Sequence, residues 1–155
     1  MTIADPPIAD PSLAAAEAPI RFDTKFVVVV RDDLAVWQKL NVASFLAGGV
    51  TGSEPQLLGE PYRDASDKVY GRLVRQPILV MTGSGAEIAT AVRRAKERGM
   101  LPSIYTHALF ATGHDAANRA AVASVTTEAL DFVGMAVHGD RKDVDKVTKG
   151  LRLHP

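Results

Sequence analysis

The stretch KFVVVVRDDLAVWQKLNVASF, residues 25–45, decides how the fold is read. Val27, Val28, Val29 and Val30 are β-branched and leave no polar position between them. A half-buried strand alternates apolar and polar side chains, so an unbroken run marks a central strand covered on both faces. Arg31, Asp32 and Asp33 end it abruptly. Apolar residues then recur at Val36, Leu40, Ala43, Ala47 and Val50, which is helical spacing. Asp32 or Asp33 is expected to cap that helix, because a short carboxylate accepts hydrogen bonds from the free N–H groups of a first turn. Ala43, Ala47 and Gly48 would let the helix lie close to a sheet; Gly48-Gly49 weaken its end and Gly52 is expected to close it. A strand that opens into a helix at a sheet edge is where many α/β proteins hold their ligands.

The same alternation continues outward from this stretch. Residues 53–72 contain Pro55, Gly59, Pro61 and Gly71 and are expected to form an excursion or a short hairpin. PILVMT, residues 77–82, reads as the second strand. In the following GSGAEIATAVRRAKERGM, Ser84 and Glu87 have capping-box spacing. Ile88, Ala91, Val92 and Ala95 fall on one face of that helix, Arg93, Arg94, Glu97 and Arg98 on the other, and Gly99 stops it. SIYT, residues 103–106, is a third strand, followed by an alanine-rich helix from His114 or Asp115. FVGMAVH, residues 132–138, is a fourth, and Asp140 begins a last helix with Val144, Val147 and Leu151 inward. This β-α-β-α-β-α-β-α order predicts one α/β domain over residues 22–155, with a small central sheet. Residues 1–21, rich in Pro and Ala, read as a disordered tail.

Composition narrows the function classes. A chain of 155 residues suits one domain with a real core. It has no cysteine, which excludes disulfides and thiolate metal sites. Net charge is zero, so no global field draws it to nucleic acid or membrane. From Lys68 to Arg98, however, seven basic residues face two acids, a local excess that reads as a phosphate-binding face or a solvated helix surface. No apolar run has membrane-spanning length, so no membrane partner is expected. The first 20 residues hold acids but no Lys or Arg, unlike a secretory or transit leader, and the expected location is cytoplasmic.

Familiar motifs are missing. MTGSGAE, residues 81–87, lacks the spacing of a dinucleotide or P-loop fingerprint and reads as a structural turn, so no cofactor is expected. His107, His114, His138 and His154 show no ligand spacing, and no metal site is expected. No serine lies in a nucleophile-elbow sequence. Trp37, Phe45, Tyr62, Tyr70 and Tyr105 are candidates to stack on a ring, although Trp37 and Phe45 suit a core. The remaining candidates are Lys39, Asn41, Thr106 and His107, polar groups in or beside apolar segments. If two strand ends pool them, Lys39 would stabilise developing negative charge, Asn41 or Thr106 would position water, and His107 would move a proton.

KFVVVVRDDL resembles the opening strand of the type II peptidyl-tRNA hydrolases, K-x-V-L-V-V-R-x-D-L. DVDKVTKGLRL is similar to that family's closing I-D-K-V-T-G-x-L-K-L, and AVRRAKERGMLPSIYT to its A-x-x-x-G-L-x-x-x-x-I segment. The resemblance spans about residues 25 to 153 and implies a three-layer domain: a mixed four-stranded sheet, helices on both faces, often a homodimer. It also implies a hydrolase acting on an ester such as peptidyl-tRNA. Arg31 and Asp33 would lie on a ligand-binding rim, and Arg93 and Arg94 would meet phosphates of tRNA or a nucleotide-like ligand. The family's G-K-x-A-A-Q-x-x-H-A corresponds to QKLNVASFLA. Lys39 matches the lysine, while Ala43 and Leu46 replace the glutamine and histidine. Its D-A-G-R-T is replaced by THALFAT, with His107 near the aspartate's position. The chain is thus similar to a divergent bacterial branch grouped as a domain of unknown function. The alternative is a non-catalytic module that binds a small molecule, a nucleotide or a protein.

Overall fold

The four valines of the opening run lie at the centre of the molecule. Strand β1, Thr24–Arg31, buries Phe26 through Val30 to 1 % exposure or less. The structure, a computed structural model, describes residues 19–155. The tail expected over residues 1–21 therefore falls, up to residue 18, outside them.

After β1 come helix α1 (Val36–Ser53), a 3-10 turn (Pro55–Leu57) and a two-stranded hairpin of β2 (Tyr62–Arg63) and β3 (Val69–Tyr70). Strand β4 (Ile78–Gly83), helix α2 (Gly85–Glu97) and strand β5 (Ser103–Thr106) follow. A 3-10 turn (His107–Ala111) leads to α3 (Asp115–Ala123), and the chain finishes with β6 (Phe132–Asp140), α4 (Arg141–Val147) and β7 (Arg152–Leu153).

The main sheet has five strands in the order β5-β6-β1-β4-β7, not the expected four. The extra strand is β7, whose Leu153 pairs with Met81 and Arg152 with Thr82. A two-residue strand shows too little alternation to be read from sequence. β1 and β4 are parallel, while β6 is antiparallel to both β1 and β5, so the C-terminal ends of β1, β4 and β5 share one sheet edge.

Side-chain alternation divides the core in two. Phe26, Val28 and Val30 face α1 and pack with Val42, Leu46 and Val50. Val27 and Val29 face α2 and α4 and pack with Ile88, Ala91, Val92, Val144 and Val147. The apolar run is unbroken because both faces are covered. Tyr105 and Thr106 of β5 pair with Gly134 and Phe132, so Val133 is the extra residue of a bulge on β6. It allows Val133 to join the α1-side cluster while a Cβ at the adjoining Gly134 would also meet α1.

The helix ends show which local rules prevailed. Ser84 and Glu87 form the expected capping box of α2 (Glu87 N to Ser84 Oγ 3.2 Å, Ser84 N to Glu87 Oε2 2.7 Å). At α1 the expected Asp32 or Asp33 cap gives way: the N-cap is Ala35, whose N–H donates to Gln38 Oε1 at 3.0 Å. The aspartates are held elsewhere by arginines. Gly52 does not close α1, which runs on to Ser53. Trp37 and Phe45 are not core: they are 61 % and 60 % exposed. No helix of the described residues is long and apolar enough to cross a membrane.

Candidate functional site

The rim at the end of β1 is an ion-paired clasp. Arg31 donates from Nε to Asp33 Oδ1 at 2.6 Å and from a terminal nitrogen to Asp131 Oδ1 at 2.8 Å and the Phe132 carbonyl at 3.4 Å. Burial works against its charge, but the hydrogen bonds and field of Asp33 and Asp131 outweigh it and raise its pKa. Asp32 accepts from Arg152 at 3.0 Å. The charges that end the first strand thus tie β1 to the start of β6 and to β7. Arg31 and Asp33, expected to face a ligand, face each other.

The catalytic candidates are distributed around α1. Lys39 and Asn41 are two residues apart, about 200° around a helix, and so point to opposite sides. Lys39 Nζ lies 3.1 Å from His154 Nε2, toward the β7 edge. Asn41 points the other way, where Tyr105 donates its hydroxyl to Asn41 Oδ1 at 3.3 Å. Thr106 is buried, 4 % exposed. His107 is exposed and meets the edge of Phe110, ring centroids 5.6 Å apart. Arg93 pairs with Glu97 at 2.9 Å and Arg94 donates to the Lys149 carbonyl at 2.8 Å. Both sit on α2, across the sheet from Asn41.

Asn41 instead belongs to a groove between α1 and the chain leading into α3. Trp37, Asn41 and Phe45 recur every fourth residue and form one stripe along α1. Tyr105 from β5, Leu109 and Phe110 from the second 3-10 turn, and His114, Asp115 and Asn118 at the start of α3 complete this end, about 520 Å³. Phe45, Tyr105, Leu109, Asp115 and Asn118 continue into a second hollow of about 540 Å³, beneath Val122 and Ala123. The aromatic rings contact one another: Trp37 to Phe110 at 5.8 Å, Tyr105 to Phe110 at 5.2 Å and Phe45 to Tyr105 at 6.0 Å between centroids. Burial raises the Tyr105 pKa, so its hydroxyl stays a neutral donor to Asn41. That leaves the Asn41 amide N–H group for a ligand. Thr112 donates to Asn118, and His114 Nδ1 accepts from the Ala117 N–H at 3.2 Å, which fixes the far wall.

The groove combines an apolar, ring-lined floor with a few convergent polar groups, the usual make-up of a small-molecule site. Of the expected catalytic residues only Asn41 lines it, and His107 backs one of its rings. The missed signal was the Trp37–Asn41–Phe45 spacing: two aromatics and an amide on one helical face. No group of three or more His, Asp or Glu is placed to hold a metal ion among the described residues.

Residues 24–155 match the family described as Protein of unknown function (DUF2000). The chain belongs to the DUF2000 family. A solved structure, that of a protein of unknown function from Agrobacterium tumefaciens strain C58, is 47 % identical to this chain, with a TM-score of 0.85. The match covers 87 % of this chain and 100 % of that one. No curated protein matches this DUF2000 member.

Proposed function

We propose that the protein is a non-catalytic binding module, and that the α1–α3 groove takes a small molecule with a flat aromatic or heteroaromatic ring, such as a nucleobase. The observation that carries this reading is the set of rings Trp37, Phe45, Tyr105 and Phe110 around the Asn41 amide. Stacking supplies affinity for any planar ring, and the amide N–H selects a ring edge that presents an acceptor. Asn41 gives one anchored donor at the centre of the stripe.

The sequence holds a single tryptophan, Trp37, which makes the groove its own reporter. Titration with adenosine, guanosine and indole should quench Trp37 fluorescence saturably for at least one of them. By calorimetry, Asn41→Ala should bind about tenfold more weakly. Absence of saturable quenching by all three, or unchanged affinity in Asn41→Ala, would refute the reading.

An ester hydrolase acting on peptidyl-tRNA is the reading that the sequence resemblance suggests. It requires Lys39 and His107 at one scissile bond, whereas Lys39 hydrogen-bonds His154 and His107 packs on Phe110. We therefore expect no peptidyl-tRNA turnover. The homodimer that the resemblance also suggests would use the exposed apolar side of α1, where Val36 and Leu40 are 74 % and 65 % exposed. Sedimentation of wild type against Leu40→Glu tests it.

A further inference from the structure

At the sheet edge opposite the Arg31 rim, a separate cavity of about 470 Å³ opens between the end of α1, the segment from Met100 to Ser103, and the passage from β6 into α4. Its titratable lining groups are Glu54, His138, Asp140 and Asp143, with no Lys or Arg among the described residues that line it. The His138 side chain is 9 % exposed, and its Nδ1 lies 3.0 Å from Glu54 Oε1. An ionised carboxylate only accepts, so Nδ1 carries the proton and donates it. In the neutral ring Nε2 is then a bare acceptor, and this atom is buried with no hydrogen-bond partner among the described residues. Buried acceptors in native proteins are nearly always paired, so this atom beside the cavity is open to a donor.

The surroundings define that donor. Asp140 is already used, its Oδ1 accepting from the N–H groups of Lys142 at 2.9 Å and Asp143 at 3.3 Å. Glu54 and Asp143 add negative charge to the cavity, which disfavours an anion. A metal ion is disfavoured as well, since no ligand set is in place among the described residues. Val50, Met100, Leu101 and Pro102 give the cavity an apolar wall. We propose that this cavity binds a primary alkylammonium, whose N–H donates to His138 Nε2 while Glu54 and Asp143 balance its charge and the alkyl chain lies on the apolar wall. Nε2 is itself buried, so the ligand reaches it through a shift of the cavity lining. The site is independent of the α1–α3 groove.

The test is a titration of ¹⁵N-labelled full-length protein with n-butylammonium chloride, read on the His138 ring nitrogens. Butyrate, tetramethylammonium and zinc chloride are run in parallel. Saturable movement of His138 Nε2 with butylammonium alone is expected. By calorimetry, Glu54→Gln should bind butylammonium about tenfold more weakly and His138→Phe not at all, with unchanged Trp37 fluorescence reporting an intact fold. An unmoved ring, an equal response to tetramethylammonium or butyrate, or zinc occupying the site would overturn the proposal. The wild-type titration decides it even if a variant fails to fold.

Discussion

Substituting Gly134 by alanine tests how closely α1 lies on the sheet. A Cβ at Gly134 would lie 2.5 Å from Val42 Cγ1, 2.9 Å from Leu46 Cδ1 and 2.9 Å from the Val29 carbonyl oxygen. Non-bonded carbons rest about 3.5–4.0 Å apart, so the overlap with Val42 is on the order of 1 Å. Val42 and Leu46 are 0 % and 2 % exposed and have no free space to rotate into, and the third contact is backbone of the central strand. Relief therefore requires α1 to lift. Overpacking a close-packed core costs about 1–3 kcal/mol, and three fixed contacts place Gly134→Ala at about 3 kcal/mol. With a urea slope of about 1–3 kcal/mol per molar, the unfolding midpoint should fall by about 1 M or more. Circular dichroism reads this, and Trp37 fluorescence should shift in the folded baseline, because α1 carries one wall of the groove. Gly83→Ala is the comparison. Its Cβ would meet Leu151 Cδ2 at 2.5 Å and Glu87 Oε2 at 2.7 Å, side-chain ends that can swing aside at the cost of loosening the Glu87 half of the capping box, so about 1–2 kcal/mol is expected. A Gly134→Ala midpoint equal to wild type, or a larger loss in Gly83→Ala, would refute the reasoning.

Gly48 on the same helix has nothing within 4 Å of its built Cβ, so Gly48→Ala should raise stability by about 0.5–1 kcal/mol in the same urea experiment. Arg31→Met should destabilise by about 1–2 kcal/mol, discounted because Asp33 and Asp131 are 64 % and 63 % exposed; thermal melts check it, and no change in Tm would dismiss the clasp. The Lys68 N–H, then the Tyr70 hydroxyl and the Ser66 N–H, hold the Asp64 pKa below the ordinary carboxylate value. The β2–β3 hairpin should therefore keep this support above that ordinary value and lose it as pH falls through the lowered one. Tyr70 ring resonances in an acid titration report it, and an acid-insensitive hairpin would count against the Asp64 hydrogen bonds.

The sequence foretold elements whose signal is local and dense. The valine run, the Ser84–Glu87 box and the buried stripe Ile88, Ala91, Val92 and Ala95 all appear as read. The reading failed where tertiary partners decide. Asp33 is a good cap in isolation, but its carboxylate is taken by Arg31, which is held in place by Asp131, a hundred residues away in sequence. β7 exists because β4 offers an unpaired edge, which no property of Arg152 and Leu153 announces. Trp37 and Phe45 suit a core by composition, yet the helical register of Val42, Leu46 and Val50 turns them outward. The candidate site is half legible: Asn41 and the aromatics stand out in the sequence, but Lys39, two residues from Asn41 on one helix, faces the other way.

α3 contains no buried residue, unlike α1, α2 and α4, and rests chiefly on the short turn that precedes it. A segment with so little anchorage opens by itself at low free energy, well before the sheet yields. One bank of the groove can thus detach and re-form while the other, on α1, stays fixed to the core. A guest would meet a rigid aromatic floor and a wall that adjusts to its size, with part of the binding energy spent on holding that wall still.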